Sequence, residues 1–352
     1  MHATRRPALP EADLEHAFRA VGEGSWRSLA GARVFLTGGT GFVGKWLMAT
    51  LLDADRRIDL GCELVVLSRD PEAFDAAAPQ LARAPRVTLL RGDVRDFEFP
   101  SGAFTHVVHA ATDVVAQNAP LDTFSTCVEG TRRALEFAAQ AGAAEFLLVS
   151  SGAIYGRQPP TLARLDETYT GAPDPLAPSS AYGEGKRVSE WLGAARGAAA
   201  SPRFKVARCF AFVGPYLPLD KHFAIGNFLR DAMAGNEITI QGDGTAYRTY
   251  LHAADMAAWL WAVLLRGQPG RAYNVGGHEA VSIGELAQRT VKALGSPARV
   301  AILKDVVPGK RAERYVPDVA RARQELALPD PIPLDEAIVR TARWHRASTQ
   351  SS

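Results

Sequence analysis

Apolar positions between residues 33 and 151 fall in short, nearly unbroken runs. They are "RVFLTG" from Arg33, "CELVVLSR" from Cys62, "RVTLLRGD" from Arg86, "THVVHAA" from Thr105 and "EFLLVSS" from Glu145. A strand apolar on both faces belongs in a parallel sheet covered by helices on either side. Helical spacing intervenes from Phe42 to about Asp53 and from about Thr123 to Ala141. Strand and helix alternating in this way predict an α/β, Rossmann-type doubly wound parallel sheet.

Beyond Ser151 the rhythm changes. The proline-rich stretch 158–178 predicts a long loop. A helix around Tyr182 follows, then the strand "FKVARCF", helices over 224–234 and 253–266, and short strands. The pattern divides the chain into three parts. Residues 1–30 form a leader with a short helix, which Trp26 and Leu29 can pin to the body. Residues 31–213 form the doubly wound domain, and 214–345 mostly a smaller α/β lobe interleaved with it. The final "ASTQSS" is expected to be disordered.

Composition narrows the function classes. A net charge of +2, with no block of lysines or arginines, gives no reason to expect a nucleic-acid partner. Cys62, Cys127 and Cys209 match neither a disulfide framework nor a zinc spacing, so no metal is expected and a reducing cytoplasm fits. The N-terminus lacks the apolar run of a signal peptide. "MAAWLWAVLL" (256–265) is too short to span a bilayer, so no membrane partner is expected.

Chemistry enters at "FLTGGTGFVGKWL" (35–47), which follows a predicted strand and opens a helix. Glycine at 38 allows a tight turn, at 41 close approach of a pyrophosphate, and at 44 close helix–strand packing. Thr40, Phe42 and Val43 complete the loop, and the helix N-terminus offers amide donors. This is a dinucleotide cradle. The second strand ends in Ser68 and Arg69, where an acid would favour NAD and an arginine the 2′-phosphate of NADP. That favours NADP over NAD, the alternative being a solvated Arg69 with Asp70 capping the next helix. Asp93 and Val94 are placed to flank the adenine, and Ala110, Ala111 and Thr112 to leave room for the nicotinamide ribose.

In "SSAYGEGKRVSE" (179–190), Tyr182 and Lys186 lie four apart, on one helix face. With the cradle and "VSSGAIYG" they make a combination that resembles the extended branch of the short-chain dehydrogenase/reductases, the nucleotide-sugar enzymes. The resemblance runs from about 30 to 345 through "TGGTGFVG", "SSGAIYG", "YGEGK", "RCFAFVGP", "GDGTAYRTYLHAADMA" and "YNVGG". It implies Ser151, Tyr182 and Lys186 as the catalytic set, with Ser150, Tyr182 and Lys186 also near the cofactor. A free phenol titrates near 10, and lowering it by roughly three units would need about 4 kcal/mol of differential stabilisation. Lys186 and an oxidised nicotinamide are expected to supply it. Gly183 and Gly185 suit places where the cofactor or the chain passes close to the helix.

The same resemblance implies diphosphate contacts from Arg248, Arg311 and Arg314, and a phosphate contact from Asn227 before a helix. Guanidinium forks suit phosphates better than the ammonium of Lys310. Family dehydratases carry an Asp-Glu pair directly after the catalytic Ser/Thr; here Gly152 and Ala153 occupy those positions and neither can move a proton. Cys127 stands where an asparagine is common. The function expected is an NAD(P)-dependent 4-ketoreductase of a dTDP- or CDP-linked 4-keto-6-deoxyhexose, serving surface polysaccharide synthesis. A 4-epimerase holding NAD is the alternative, ahead of a 4,6-dehydratase or a non-catalytic redox sensor. His222 is left without a role. A homodimer is expected through helices 123–141 and 179–197, with Phe124, Leu135 and Leu192 as contacts.

Overall fold

The computed structural model describes residues 7–112, 119–197, 201–221 and 223–350. Six strands, all but β3 and β4 separated by helices, run through the first two thirds of the chain: β1 (Arg33–Thr37), β2 (Glu63–Ser68), β3 (Val87–Arg91), β4 (His106–His109), β5 (Glu145–Ser151) and β6 (Arg203–Cys209). The later strands are short: β7 (Phe212–Val213), β8 (Ile238–Ile240), β9 (Tyr247–Arg248), β10 (Leu251–His252), β11 (Ala272–Val275), β12 (Val281–Ser282), β13 (Val300–Ile302) and β14 (Arg314–Tyr315). The main sheet has seven parallel strands in the order β11-β6-β5-β4-β1-β2-β3. Order reverses beside β1, so the connections leaving the paired strands β1 and β4 run to opposite faces and open a crevice at their carboxyl ends, the usual ligand site of such sheets.

The helices are α1 (Glu11–Val21), α2 (Glu23–Arg27), α3 (Phe42–Ile58), α4 (Pro71–Ala77), α5 (Pro79–Ala82), α6 (Pro120–Gln140), α7 (Ala181–Ala194), α8 (Ala224–Ala234), α9 (Ala253–Arg266), α10 (Ile283–Leu294), α11 (Ala320–Glu325) and α12 (Leu334–Gln350). On one face of the sheet α3 and α9 enclose the larger core; α6 lies over the other, around Phe35, Phe97, Phe104, Phe137 and Phe146. Helix α9 is apolar all round and is buried from Ala253 to Leu264. Its buried Asp255 accepts from His16 Nε2 at 2.6 Å and from the Ile332 amide at 2.9 Å. That bond raises the His16 pKa against the opposing effect of burial.

Trp26 and Leu29 are fully buried, Trp26 5.5 Å from Trp261, and so hold the first helices to the body. Residues 158–177 carry no helix or strand, apart from a bridge between Leu165 and Pro317. At the C-terminus the disorder expected from Ala347 is replaced by the last turn of α12, where Ser348 is buried and bonds back to the Trp344 carbonyl at 2.9 Å. Among the described residues no helix is long and apolar enough to cross a membrane.

Candidate active site

The turn between β1 and α3 is shaped by its glycines. A Cβ on Gly38, whose φ is +73°, would lie 2.6 Å from the backbone of Ala110 and Ala111, and one on Gly44 2.3 Å from the Gly38 carbonyl oxygen. These two positions are closed by the protein itself. At Gly41 the nearest atom would be 3.4 Å away, so a side chain there would project into open crevice. Helix α3 starts at Phe42, Val43 and Gly44 with no side-chain cap and no acid in its first turn. Its amide donors are left for an anion. Thr40, exposed Gly41 and the partly buried Phe42 and Val43 rim this cradle.

At the end of β2, Ser68 is buried and accepts from the Asp70 amide at 3.2 Å. Asp70 caps α4 by accepting from the Ala73 amide, while Arg69 is exposed. The alternative for this corner is therefore what the structure shows: Asp70 is spent on the cap and Arg69 is exposed. Asp93 is bound through both oxygens by Arg95, at 2.8 and 3.0 Å, which holds its pKa down. Val94 is buried against Gly130 of α6. Ala110 and Ala111 take bonds from their amides to the Thr37 carbonyl and hydroxyl, at 3.2 and 3.1 Å. Thr112 lies 3.5 Å from the Cys127 sulfur.

Ser151 closes β5, and Tyr182 and Lys186 stand on the first turns of α7. The structure brings the three together. Lys186 is almost wholly buried and donates to the Val149 carbonyl at 2.9 Å, with its Nζ 6.0 Å from the Tyr182 ring centre. Burial lowers the lysine's pKa. Burial also pushes the Tyr182 phenol up, against a hydrogen bond from Ser151 that favours its ionised form. Burial within the protein thus favours the protonated phenol. Buried Gly183 and Gly185 let the chain, not open groove, approach α7: Cβ atoms there would lie 2.8 Å from the Ala153 carbonyl oxygen and 2.8 Å from the Cys127 Cβ.

Ser150 points the other way. Successive strand residues face opposite sides of the sheet, and its hydroxyl donates to Glu190 Oε1 at 2.6 Å. Glu190 is held by Arg208 at 2.7 Å, Arg208 also donates to the Tyr155 hydroxyl at 2.9 Å, and Tyr155 donates to Asn274 Oδ1 at 2.8 Å. The Ser150 side chain is thus committed to a structural network rather than to the cofactor crevice.

Three separated segments meet on the substrate side. A cavity of about 240 Å³ is lined by Arg157, Gln158, Arg248, Arg311, Arg314 and Tyr315, among others. Arg248 lies on β9, shortly before β10, paired in register with Tyr315 of β14 and Val281 of β12. Arg314 stacks over Tyr247 at 4.4 Å, and Arg311 is exposed. Asn227 sits inside the first turn of α8, not before it, and accepts from Arg230 at 3.3 Å; it does not line this cavity. His222 lies outside the described residues. Arg157, Gln158 and Tyr315 carry no motif of their own, so spacing along the chain gives no sign that they belong here.

The family model described as NAD dependent epimerase/dehydratase family matches residues 34–276. The chain is therefore an enzyme of that family, an extended short-chain dehydrogenase/reductase. It is 29% identical over 311 residues to UDP-glucuronic acid decarboxylase 1 of Arabidopsis thaliana, covering 88% of this chain and 68% of the relative. It is also 29% identical over 321 residues to the dTDP-glucose 4,6-dehydratase of Streptomyces griseus, covering 89% and 93%. An epimerase of Methanothermobacter thermautotrophicus shares the fold with a TM-score of 0.77 at 23% identity, covering 95% of this chain and 97% of that one. The family's dinucleotide fits: Gly41 leaves open the space its pyrophosphate needs before the uncapped start of α3.

Proposed function

We propose that the protein is an NADP-linked 4-ketoreductase of a nucleotide-linked 4-keto-6-deoxyhexose, dTDP- or CDP-linked, in the synthesis of surface polysaccharide sugars. The observation that carries this reading is the pair of positions after Ser151. Gly152 and Ala153 offer no carboxyl group, and a side chain at 152 would run into the Tyr315 hydroxyl and the Phe210 ring, each 2.6 Å from its Cβ. Proton traffic at a carbon beyond the carbonyl, which elimination of water requires, has no carboxylate here to carry it. A Tyr-Ser-Lys set alone suffices for carbonyl reduction.

The cofactor, when bound, supplies the hydride. Gly41 and the start of α3 would hold its pyrophosphate, and Arg69, with Asp70 withdrawn to the α4 cap, its 2′-phosphate. Lys186 would reach the nicotinamide ribose. Ser151 orients the substrate carbonyl oxygen, and Tyr182, protonated through neutral pH because burial raises its pKa, gives its proton to that oxygen as the alkoxide develops. The arginines of the 240 Å³ cavity suit the substrate's diphosphate. The same reading includes a homodimer through α6 and α7. Leu135, expected at that contact, is buried in the chain's own core, whereas Trp191 on α7 is 66% exposed.

Purified protein should consume NADPH stoichiometrically with one member of a panel of 4-keto-6-deoxy nucleotide sugars. Tightly bound NAD, with sugars interconverted and no net consumption, would instead establish the 4-epimerase.

A further inference from the structure

We propose that helix α1 is fastened to the body by a proton-operated latch, in which a protonated His16 balances the buried carboxylates of Asp13 and Asp255. Helix α1 precedes the first strand of the sheet and packs against α9 and α3. Four charged side chains meet at this junction. His16 Nε2 lies 2.6 Å from Asp255 Oδ1, and the Arg340 guanidinium of α12 donates to Asp13 Oδ1. The two carboxylates are 1% exposed, whereas His16 and Arg340 keep 27% and 26% of their side chains in solvent, within reach of its protons. Asp255 Oδ2 also accepts from the Ile332 amide, so one carboxylate joins α1, α9 and the chain entering α12.

Charge counting gives the latch its sign. Asp13 and Asp255 bring two negative charges, Arg340 one positive charge and protonated His16 the second. The neighbouring groups leave that count unchanged. His252, at the end of β10, lies 4.0 Å from Asp13 Oδ2, and burial pushes its pKa down to about 3, so it stays neutral. Glu336 of α12 shares Arg340 from the exposed side. On α3, Arg56 and Arg57 are held by Asp53 and by Glu11 of α1. Glu15 pairs with Arg19 on α1, and Glu23 with Arg27 on α2. At the far end of α1, Arg266 of α9 donates to the Val21 carbonyl.

When His16 loses its proton, the imidazole keeps at most a neutral hydrogen bond to Asp255, and two buried carboxylates face one guanidinium. A buried charge without a partner is costly, and release of α1 returns Asp13 to water. The hydrogen bond to Asp255 raises the His16 pKa, with burial opposing. The stabilisation from His16 is therefore complete below about pH 6.5, the free-imidazole value, and is lost as pH rises through the raised one. Burial raises the Asp13 pKa as well, which acts in the same direction from about pH 3.9 upward. Because Glu11 ties α1 to Arg56 and Arg57, release loosens the helix whose first turn forms the dinucleotide cradle. The latch is independent of the reductase reading.

The test uses the full chain. Histidine ring protons are followed by NMR from pH 5 to 9, and His16→Gln assigns the signal of residue 16. Its midpoint should lie above about 6.5, and a midpoint at or below that value would overturn the latch. Hydrogen exchange supplies the second readout. Between pH 5.5 and 8.5 the protection of α1 amides, corrected for intrinsic rates, should fall by about tenfold for each unit by which the His16 midpoint exceeds 6.5. Amides inside β4 and β5 should hold theirs within about threefold, and His16→Gln should remove most of the α1 loss. Equal losses in α1 and the sheet, no loss in α1, or a loss that His16→Gln keeps in full would each overturn the proposal. The exchange comparison on the unsubstituted chain stands even if His16→Gln fails to fold.

Discussion

Ser150 and Ser151 are neighbours on β5 and lead into two polar networks of similar ingredients, each with a serine, a tyrosine and a buried cation. Around Ser150 each named partner is matched: serine to Glu190, Glu190 to Arg208, Arg208 to Tyr155, Tyr155 to Asn274. Around Ser151 one bond within the chain is matched, the Ala153 amide donating to its oxygen at 3.1 Å, and the Tyr315 hydroxyl lies beside it, where a side chain of residue 152 would begin. A matched network holds structure in place, whereas hydroxyls without a fixed partner beside an open crevice are free to act on a ligand. Identical residue types one position apart thus serve different ends because the strand turns them to opposite faces.

The largest effect should come from Tyr182→Phe. It removes the proton donor on the Ser151 side, and turnover should fall by roughly 10³-fold, with NADPH binding and the urea midpoint nearly unchanged. The pH dependence of this phenol has a definite sign. Its pKa is raised by burial, so without cofactor it stays protonated through neutral pH and contributes no tyrosinate absorbance below about pH 10. A tyrosinate signal near neutrality that vanished in Tyr182→Phe would reverse that sign.

On the matched side, Arg208→Met strands Glu190 with little solvent, the two side chains being 14% and 13% exposed. Loss of a buried pair's partner should destabilise by about 3 kcal/mol, read by urea unfolding, with kcat of the folded fraction changed far less. A fall in kcat as large as for Tyr182→Phe would merge the two networks into one.

The serine pair gives a finer contrast. Ser151→Ala should lower kcat by about tenfold to a hundredfold with little change in stability. Ser150→Ala should cost about 1 kcal/mol of stability and leave kcat within about threefold. An exchange of these two phenotypes would show the faces of β5 assigned the wrong way round. Smallest of all, Arg248→Lys keeps the charge but loses the fork. It should raise the KM for nucleotide sugar by about fivefold to tenfold, with kcat little altered.

Much of this molecule could be read along the chain. The apolar runs and the glycine spacing at 38, 41 and 44 specify strand, turn and helix through contacts a few residues long, so the sheet and the cradle follow from local pattern. Tyr182 and Lys186 were legible for the same reason, since helical geometry alone puts them on one face. The face of each serine was not, because it depends on which side of the sheet α7 brings Glu190 to. Nor did the sequence show that Asp93 would be occupied by Arg95, or that Leu135 would be turned into the core.

The sequence by itself determined the doubly wound sheet, the glycine turn at 38, 41 and 44 and the phenol–lysine pair, all products of short-range periodicity and backbone sterics. Only the tertiary structure decided what lies beside Ser151. Tyr315 and Phe210 reach that place from distant segments through strand pairing and ring packing, and no spacing along a chain encodes a meeting between surfaces that exists only after folding.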